Sequence, residues 1–180
     1  QSQEAFQDFQ RVYGSQVRND FMEVALLEAA QLHYKQENYL SALELYQTLA
    51  QDASNLNNRV QALFGLAESQ RALKRFDPAI DALQEIANNA EVAEYSRTKA
   101  RVAIGHNQYA AGRRPQALQT FEAVESEFKN AFGAESQRMI VQITYDQAMD
   151  TYTEAFDLEE SGNLVEADRL FAEAEEGFQA

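Results

Sequence analysis

Apolar side chains recur at spacings of three and four along nearly the whole chain, as in Leu63, Leu66, Ala67 and Leu73 or Ile140, Ile143, Ala148 and Ala155. That is the period of one helix face, and no stretch sustains the alternation of a half-buried strand. The pattern predicts helices over 2–13, 17–36, 39–52, 57–73, 77–88, 92–111, 115–130, 134–161 and 164–178. Between them fall short breaks at Gly14-Ser15, Glu37-Asn38, Asp52 to Asn58, Lys74-Arg75, Asn88-Asn89, Gly112-Arg113, Ala131 to Ala134 and Gly162-Asn163. Pro78 and Pro115 each stand where a helix begins, a place whose N–H has no intrahelical partner. No break is long enough to act as a linker, so a single all-α domain over 1–180 is expected.

A repeat underlies the helices. Four times, a small residue in one helix is followed twelve positions later by an alanine in the next, and four positions after that by a large apolar residue. The sets are Ala30, Ala42, Tyr46; Ala67, Ala79, Leu83; Gly105, Ala117, Phe121; and Ala155, Ala167, Phe171. Antiparallel helices joined by a tight turn approach closely only where both present small side chains, and the large residue fills the space one turn further on. Tyr39, Phe76 and Leu164 are placed to pack across the pair at the turn, with Arg114 the exception.

In these offsets the chain resembles the tetratricopeptide repeat family over residues 23–178. The family's Leu-Gly step stands here as Ala29-Ala30, Leu66-Ala67, Ile104-Gly105 and Glu154-Ala155. The sequence departs from the pattern in having no Trp and no Pro closing a repeat, and in spacings of 37, 38 and 50 residues between corresponding alanines. The resemblance implies a right-handed solenoid of about four helix pairs, at 23–52, 59–88, 97–130 and 134–178, preceded by an extra helix within 1–14. The long helix near 134–161 outreaches its neighbours. In the last helix, Leu164, Ala167, Leu170, Phe171, Ala174 and Phe178 form an apolar stripe opposite Glu166, Asp168, Arg169, Glu173, Glu175 and Glu176, as suits a terminal cap.

Composition narrows the classes of function. The 180 residues carry 29 acidic and 15 basic groups, a net charge of -14, which disfavours nucleic acid and anionic membrane surfaces as partners. The charge is uneven: residues 1–58 hold 3 basic and 8 acidic groups, 59–129 hold 10 and 9, and 135–180 hold 2 and 12. A solvated helix face accounts for the acidic end, and a docking surface for a basic partner is the alternative. The longest apolar run, Val24 to Ala30, includes Glu28, so no membrane span is expected and the chain reads as soluble. With no cysteine, disulfides, thiolate metal sites and cysteine nucleophiles are excluded. The start at Gln1 rather than Met implies a removed leader or a segment of something longer.

Candidate chemistry is sparse. No phosphate loop, His-Glu-x-x-His pair or calcium loop occurs, and no cofactor or metal is called for. His33 and Glu37 stand four apart in one predicted helix, one pair where a metal needs three or four ligands. His106 falls on an inner face, without an identified partner for general-base work. The reading is therefore a non-enzyme.

A surface is what the resemblance implies. The first helix of each pair would line a concave groove for a partner's peptide or helix, through Val24, Leu27, Gln31 and Tyr34; Gln61, Phe64, Glu68 and Arg71; Lys99, Val102, His106 and Tyr109; and Met149, Tyr152 and Phe156. Tyr34, Phe64, Glu68, Arg71, Lys99, His106, Tyr109, Tyr152 and Phe156 are the residues expected to bind, since aromatic anchors and a few charges dominate such surfaces. Some of these aromatics would instead pack between repeats. The Lys/Asn/Arg clamp by which some family members hold a C-terminal carboxylate is absent, because Leu27, Gln31, Gln61, Phe64 and Gly65 stand in its places. Phe6, Phe9 and Tyr13 make the N-terminal helix a cap, or alternatively a ligand mimic lying in its own or a neighbour's groove, through which the chain could form homo-oligomers. The rival function is a structural subunit of a multiprotein complex, docked through its convex or acidic C-terminal surface. The 37- and 38-residue spacings are similar to those of bacterial cell-envelope repeat proteins, which implies a periplasmic or envelope-associated setting, with cytoplasm the alternative.

Overall fold

The computed structural model describes residues 21–128 and 131–179, and all regular structure among them is helical. The helices are α1 (21–35 of the described residues), α2 (Tyr39–Asp52), α3 (Leu56–Ala72), α4 (Phe76–Asn88), α5 (Glu94–Ala110), α6 (Arg114–Glu127), α7 (Ala131–Glu160) and α8 (Leu164–Gln179). Each lies within a few residues of its predicted span; the helix expected at 2–13, with Phe6, Phe9 and Tyr13, lies outside the described residues. The chain forms two compact units, Gln1–Asn107 and Gln108–Ala180. Within them, helices adjacent in sequence pack on one another, α2 on α3 and α3 on α4 in the first, α6 on α7 and α7 on α8 in the second. This is the arrangement of a tetratricopeptide-like helical array.

The four helix turns share one hydrogen-bond pattern. Glu37, Lys74, Gly112 and Gly162 take positive φ of 63°, 57°, 76° and 84°, each seven residues after the small residue of its template. Their N–H groups donate to Tyr34, Arg71, Tyr109 and Glu159, and the next N–H, of Asn38, Arg75, Arg113 and Asn163, donates to His33, Gln70, Gln108 and Leu158. These paired bonds satisfy the last carbonyls of the ending helix, as a left-handed cap does. The carbonyls of Asn38, Arg75, Arg113 and Asn163 then accept the N–H of Ala42, Ala79, Ala117 and Ala167, so each template alanine opens the following helix. Glycine takes the left-handed conformation without strain at Gly112 and Gly162; Glu37 and Lys74 occupy it despite their Cβ atoms. The fourth pair, with the longest spacing, turns just as the other three do.

In the first unit the core runs from Leu27 and Ala30 through α2, α3 and α4 to Ala100 and Ile104 on α5. The far edge of the Tyr46 ring lies where a Cβ on Gly65 would have to be. A glycine on α3 therefore lets a tyrosine on α2 seat against it, the close approach that the template requires. The α2–α3 connection is tied to α1 by one carboxylate. Glu23, 8 % exposed, accepts hydrogen bonds from the Ser54 N–H (2.7 Å), the Ser54 hydroxyl (2.8 Å) and Asn58 Nδ2 (2.8 Å). Burial pushes its pKa up, but the hydrogen bonds from Asn58 and Ser54 overcome that and leave it below the ordinary carboxylate value. Asn55 caps α3, its side chain accepting from the Asn57 and Asn58 N–H groups.

In the second unit, Ala117, Phe121 and Val124 of α6 and Ile143, Ala148 and Ala155 of α7 are buried. Gly177 of α8 lies so near Ala148 that an added Cβ would stand 2.9 Å from the alanine's. Arg114, the polar exception at the turn position, forms an ion pair with Asp150 of α7, so a charge contact replaces the apolar one. The 30-residue α7 spans about 45 Å at 1.5 Å per residue, which accounts for the 50-residue spacing.

Three expectations need correction. Glu37 lies beyond the end of α1 in a left-handed conformation, so it does not share a helix face with His33. Leu27 and Val102, expected along a groove, are buried at 4 % and 5 % exposure, because the positions they hold point between helices. In α8, Ala167, Leu170 and Ala174 are buried, but Leu164 and Phe178 are largely exposed and Phe171 is half-buried. Its apolar stripe is wider than the neighbours that cover it.

Candidate partner-binding surfaces

Residues of α1, α2, α3 and α5 converge on a hollow of about 400 Å³ in the first unit. Tyr34 comes from the last turn of α1, Phe64 and Glu68 from one face of α3, and Lys99 from α5. Four residues expected to bind thus meet at one place, with Gln31 and Gln61 beside them. Helix geometry explains the α3 contribution, since Gln61, Phe64 and Glu68 recur at three and four. Tyr46, Gly65 and Lys35 complete the lining. Tyr46 is legible in the sequence only as a core residue; it is 4 % exposed, and its ring reaches the floor of the hollow because Gly65 has no Cβ to stand in its way.

The chemistry of the hollow is aromatic with mixed charge. The Lys99 ammonium stands 4.7 Å from the centre of the Phe64 ring, within range of a cation–π attraction. Tyr34 packs edge-on against Tyr39 with ring centres 5.3 Å apart, which fixes it at the rim. Burial, then the Glu68 carboxylate, pushes the Tyr34 and Tyr46 hydroxyls above the ordinary tyrosine value. Both are neutral donors at physiological pH. Arg71, one turn beyond Glu68, is exposed and its charge reaches Tyr34, where it opposes that rise. His106 is half-buried on α5 and does not line the hollow.

The other expected residues lie in the second unit and are placed differently. The Tyr109 hydroxyl donates to Asp146 of α7; that hydrogen bond, and then burial, raises its pKa. Asp146 also accepts from Gln142 Nε2 at 2.8 Å, so the Tyr109 hydroxyl is engaged within the second unit. Tyr152 and Phe156 are 45 % and 48 % exposed, and Tyr152 meets Phe171 of α8 edge-on at 5.2 Å. Among the described residues, no group of three or more His, Asp or Glu side chains is placed to hold a metal ion, and no helix is long and apolar enough to cross a membrane.

A tetratricopeptide repeat model matches residues 61–90, which covers most of α3 and all of α4, with Ala67, Lys74, Ala79 and Leu83 inside it. The α3–α4 pair thus matches a tetratricopeptide repeat, and the other three pairs share its turn. No curated protein matches the chain. Tetratricopeptide repeats generally mediate protein–protein interaction or scaffolding, and the family is typically non-catalytic.

Proposed function

We propose that the chain is a non-enzymatic adaptor whose first unit takes a peptide or helix of a protein partner in the hollow between Tyr34, Tyr46 and Phe64. The observation that carries this reading is the convergence of three aromatic rings with Lys35, Lys99 and Glu68 around an open hollow of about 400 Å³. Aromatic and aliphatic side chains of the partner enter the hollow, and the two lysines favour an acidic residue next to them. Affinity capture from the native extract tests the reading, with Phe64→Ala combined with Lys99→Glu as the control. The double variant should keep its helical circular dichroism and lose about tenfold or more in affinity for the captured partner. Full retention of binding would overturn the reading.

A second reading, a structural subunit of a larger assembly, is favoured by the concentration of 12 acidic against 2 basic groups in residues 135–180. Docking through that end weakens steeply with salt, whereas docking in the aromatic hollow holds. For its setting we propose the periplasm or cell envelope, on the 37- and 38-residue repeat spacings; fractionation of the native cell tests it, and recovery of the chain in the cytosol overturns it.

A further inference from the structure

We infer that the exposed apolar face shared by α7 and α8 is a docking surface for a helix of a partner protein that carries basic side chains along its edges. Along α7, Val141, Tyr145, Met149, Tyr152 and Phe156 follow at intervals of four, four, three and four, which gathers them into one stripe. Each is between 39 and 63 % exposed. Along α8, Leu164, Phe171 and Phe178 follow at sevens on one line. Tyr145 meets Phe178 with ring centres 5.4 Å apart, as Tyr152 meets Phe171 at 5.2 Å, so the two rows form a single apolar face. An exposed patch of this extent marks an interaction site.

Comparison with the first pair identifies the kind of occupant. Tyr46 holds the template position of Phe171, and Leu27 that of Tyr152, yet both are 4 % exposed. Tyr46 is covered by α3, whose Gly65 admits the ring. The same positions in α7 and α8 stand open, which leaves a seat shaped for a helix that presents small and aliphatic side chains. Charge then selects among helices. Asp168 and Glu175, expected on the face opposite the stripe, are exposed and stand four residues after Leu164 and Phe171, so they border the α8 row instead, in a segment with a large acidic excess. A second copy docked through the same face would bring the same carboxylates against them, so the complementary occupant is basic. This inference rests on the subunit reading and gives it a surface; the hollow of the first unit is independent of it.

Two synthetic helical peptides with one Ala/Leu stripe, flanked by Lys in one and by Glu in the other, test it by fluorescence anisotropy. The Lys-flanked peptide should bind at least about tenfold more tightly, and Asp168→Lys with Glu175→Lys should reverse the preference. Tyr152→Ser should weaken binding about tenfold with helical circular dichroism retained, while Phe64→Ala in the hollow leaves it unchanged, so failure of one surface is not read as failure of the other. Equal binding of the two peptides, no binding of either, or a preference that survives charge reversal overturns the inference. So does a dimer in sedimentation that Tyr152→Ser dissolves, which makes a second copy the occupant. Binding that emerges only after residues 1–20 are removed overturns it in favour of the chain's own N-terminal segment.

Discussion

At the template's large position, Phe121 of α6 is fully enclosed, whereas Phe171 of α8 lies half-buried against Tyr152. Both follow a turn with the same two hydrogen bonds, and both stand four residues after a buried alanine. The turn is a local device that any pair can form. Enclosure of the large residue needs a further helix, and the two pairs differ there. One sequence rule thus produces a core residue in one case and an adhesive surface in the other.

Substitution at the large position should expose the contrast most strongly. Phe121→Ala is expected to destabilise by about 3–5 kcal/mol, since it removes a buried ring and leaves a cavity. Phe171→Ala should cost about 1–2 kcal/mol, because part of its surface is already in water. Chemical denaturation of both variants measures this, and equal losses would show that Phe171 is enclosed in solution.

Next in size is Gly65→Ala, expected to cost about 2–3 kcal/mol because the Tyr46 ring occupies the Cβ position and has core on its other side. Gly177→Ala should cost less, about 1 kcal/mol, since its obstacle is a single methyl group on Ala148.

The Glu23 anchor has no counterpart described in the second unit, and pH can sharpen that difference. Its lowered pKa means that the folded state favours the carboxylate. The stabilisation is therefore present above the unfolded value, near ~4.3, and disappears as pH falls through the folded value. Glu23→Gln should cost about 1–2 kcal/mol at neutral pH, and the gap from the parent should narrow in acid. A gap independent of pH would show that the charge has no part in holding the α2–α3 connection.

The smallest effects belong to the turns. Gly112→Ala and Gly162→Ala should each cost about 1 kcal/mol, as left-handed backbone penalises a Cβ. Glu37→Gly and Lys74→Gly should change stability by only a few tenths of a kcal/mol, the strain relieved being offset by added freedom in the unfolded chain. Thermal melts resolve the two classes.

Helix spans, the recurring alanines and the four turns were legible because each rests on neighbours in sequence: period, proline placement, and hydrogen bonds that close within six residues. The binding residues were legible only in part. Phe64 and Glu68 share a helix face that spacing reveals, but the meeting of Tyr34 from α1 with Lys99 from α5 depends on how distant helices stack. Tyr46 shows why the wall of the hollow was missed, since it has the pattern of a core residue and becomes lining only through the missing Cβ of Gly65. The left-handed conformation of Glu37 and Lys74 carries no glycine to announce it, and it emerges when the four turns are compared. Glu23 reads as one more surface acid until the α2–α3 connection folds over it.

By itself, then, the sequence determined the repeating unit, because small-against-small contact and tight turns are settled over a dozen residues. Only the tertiary structure decided which large residues are enclosed and which face outward. Burial is a property of what lies on the far side of a side chain, and for Tyr46 that is the next helix, while for Phe171 it is open surface.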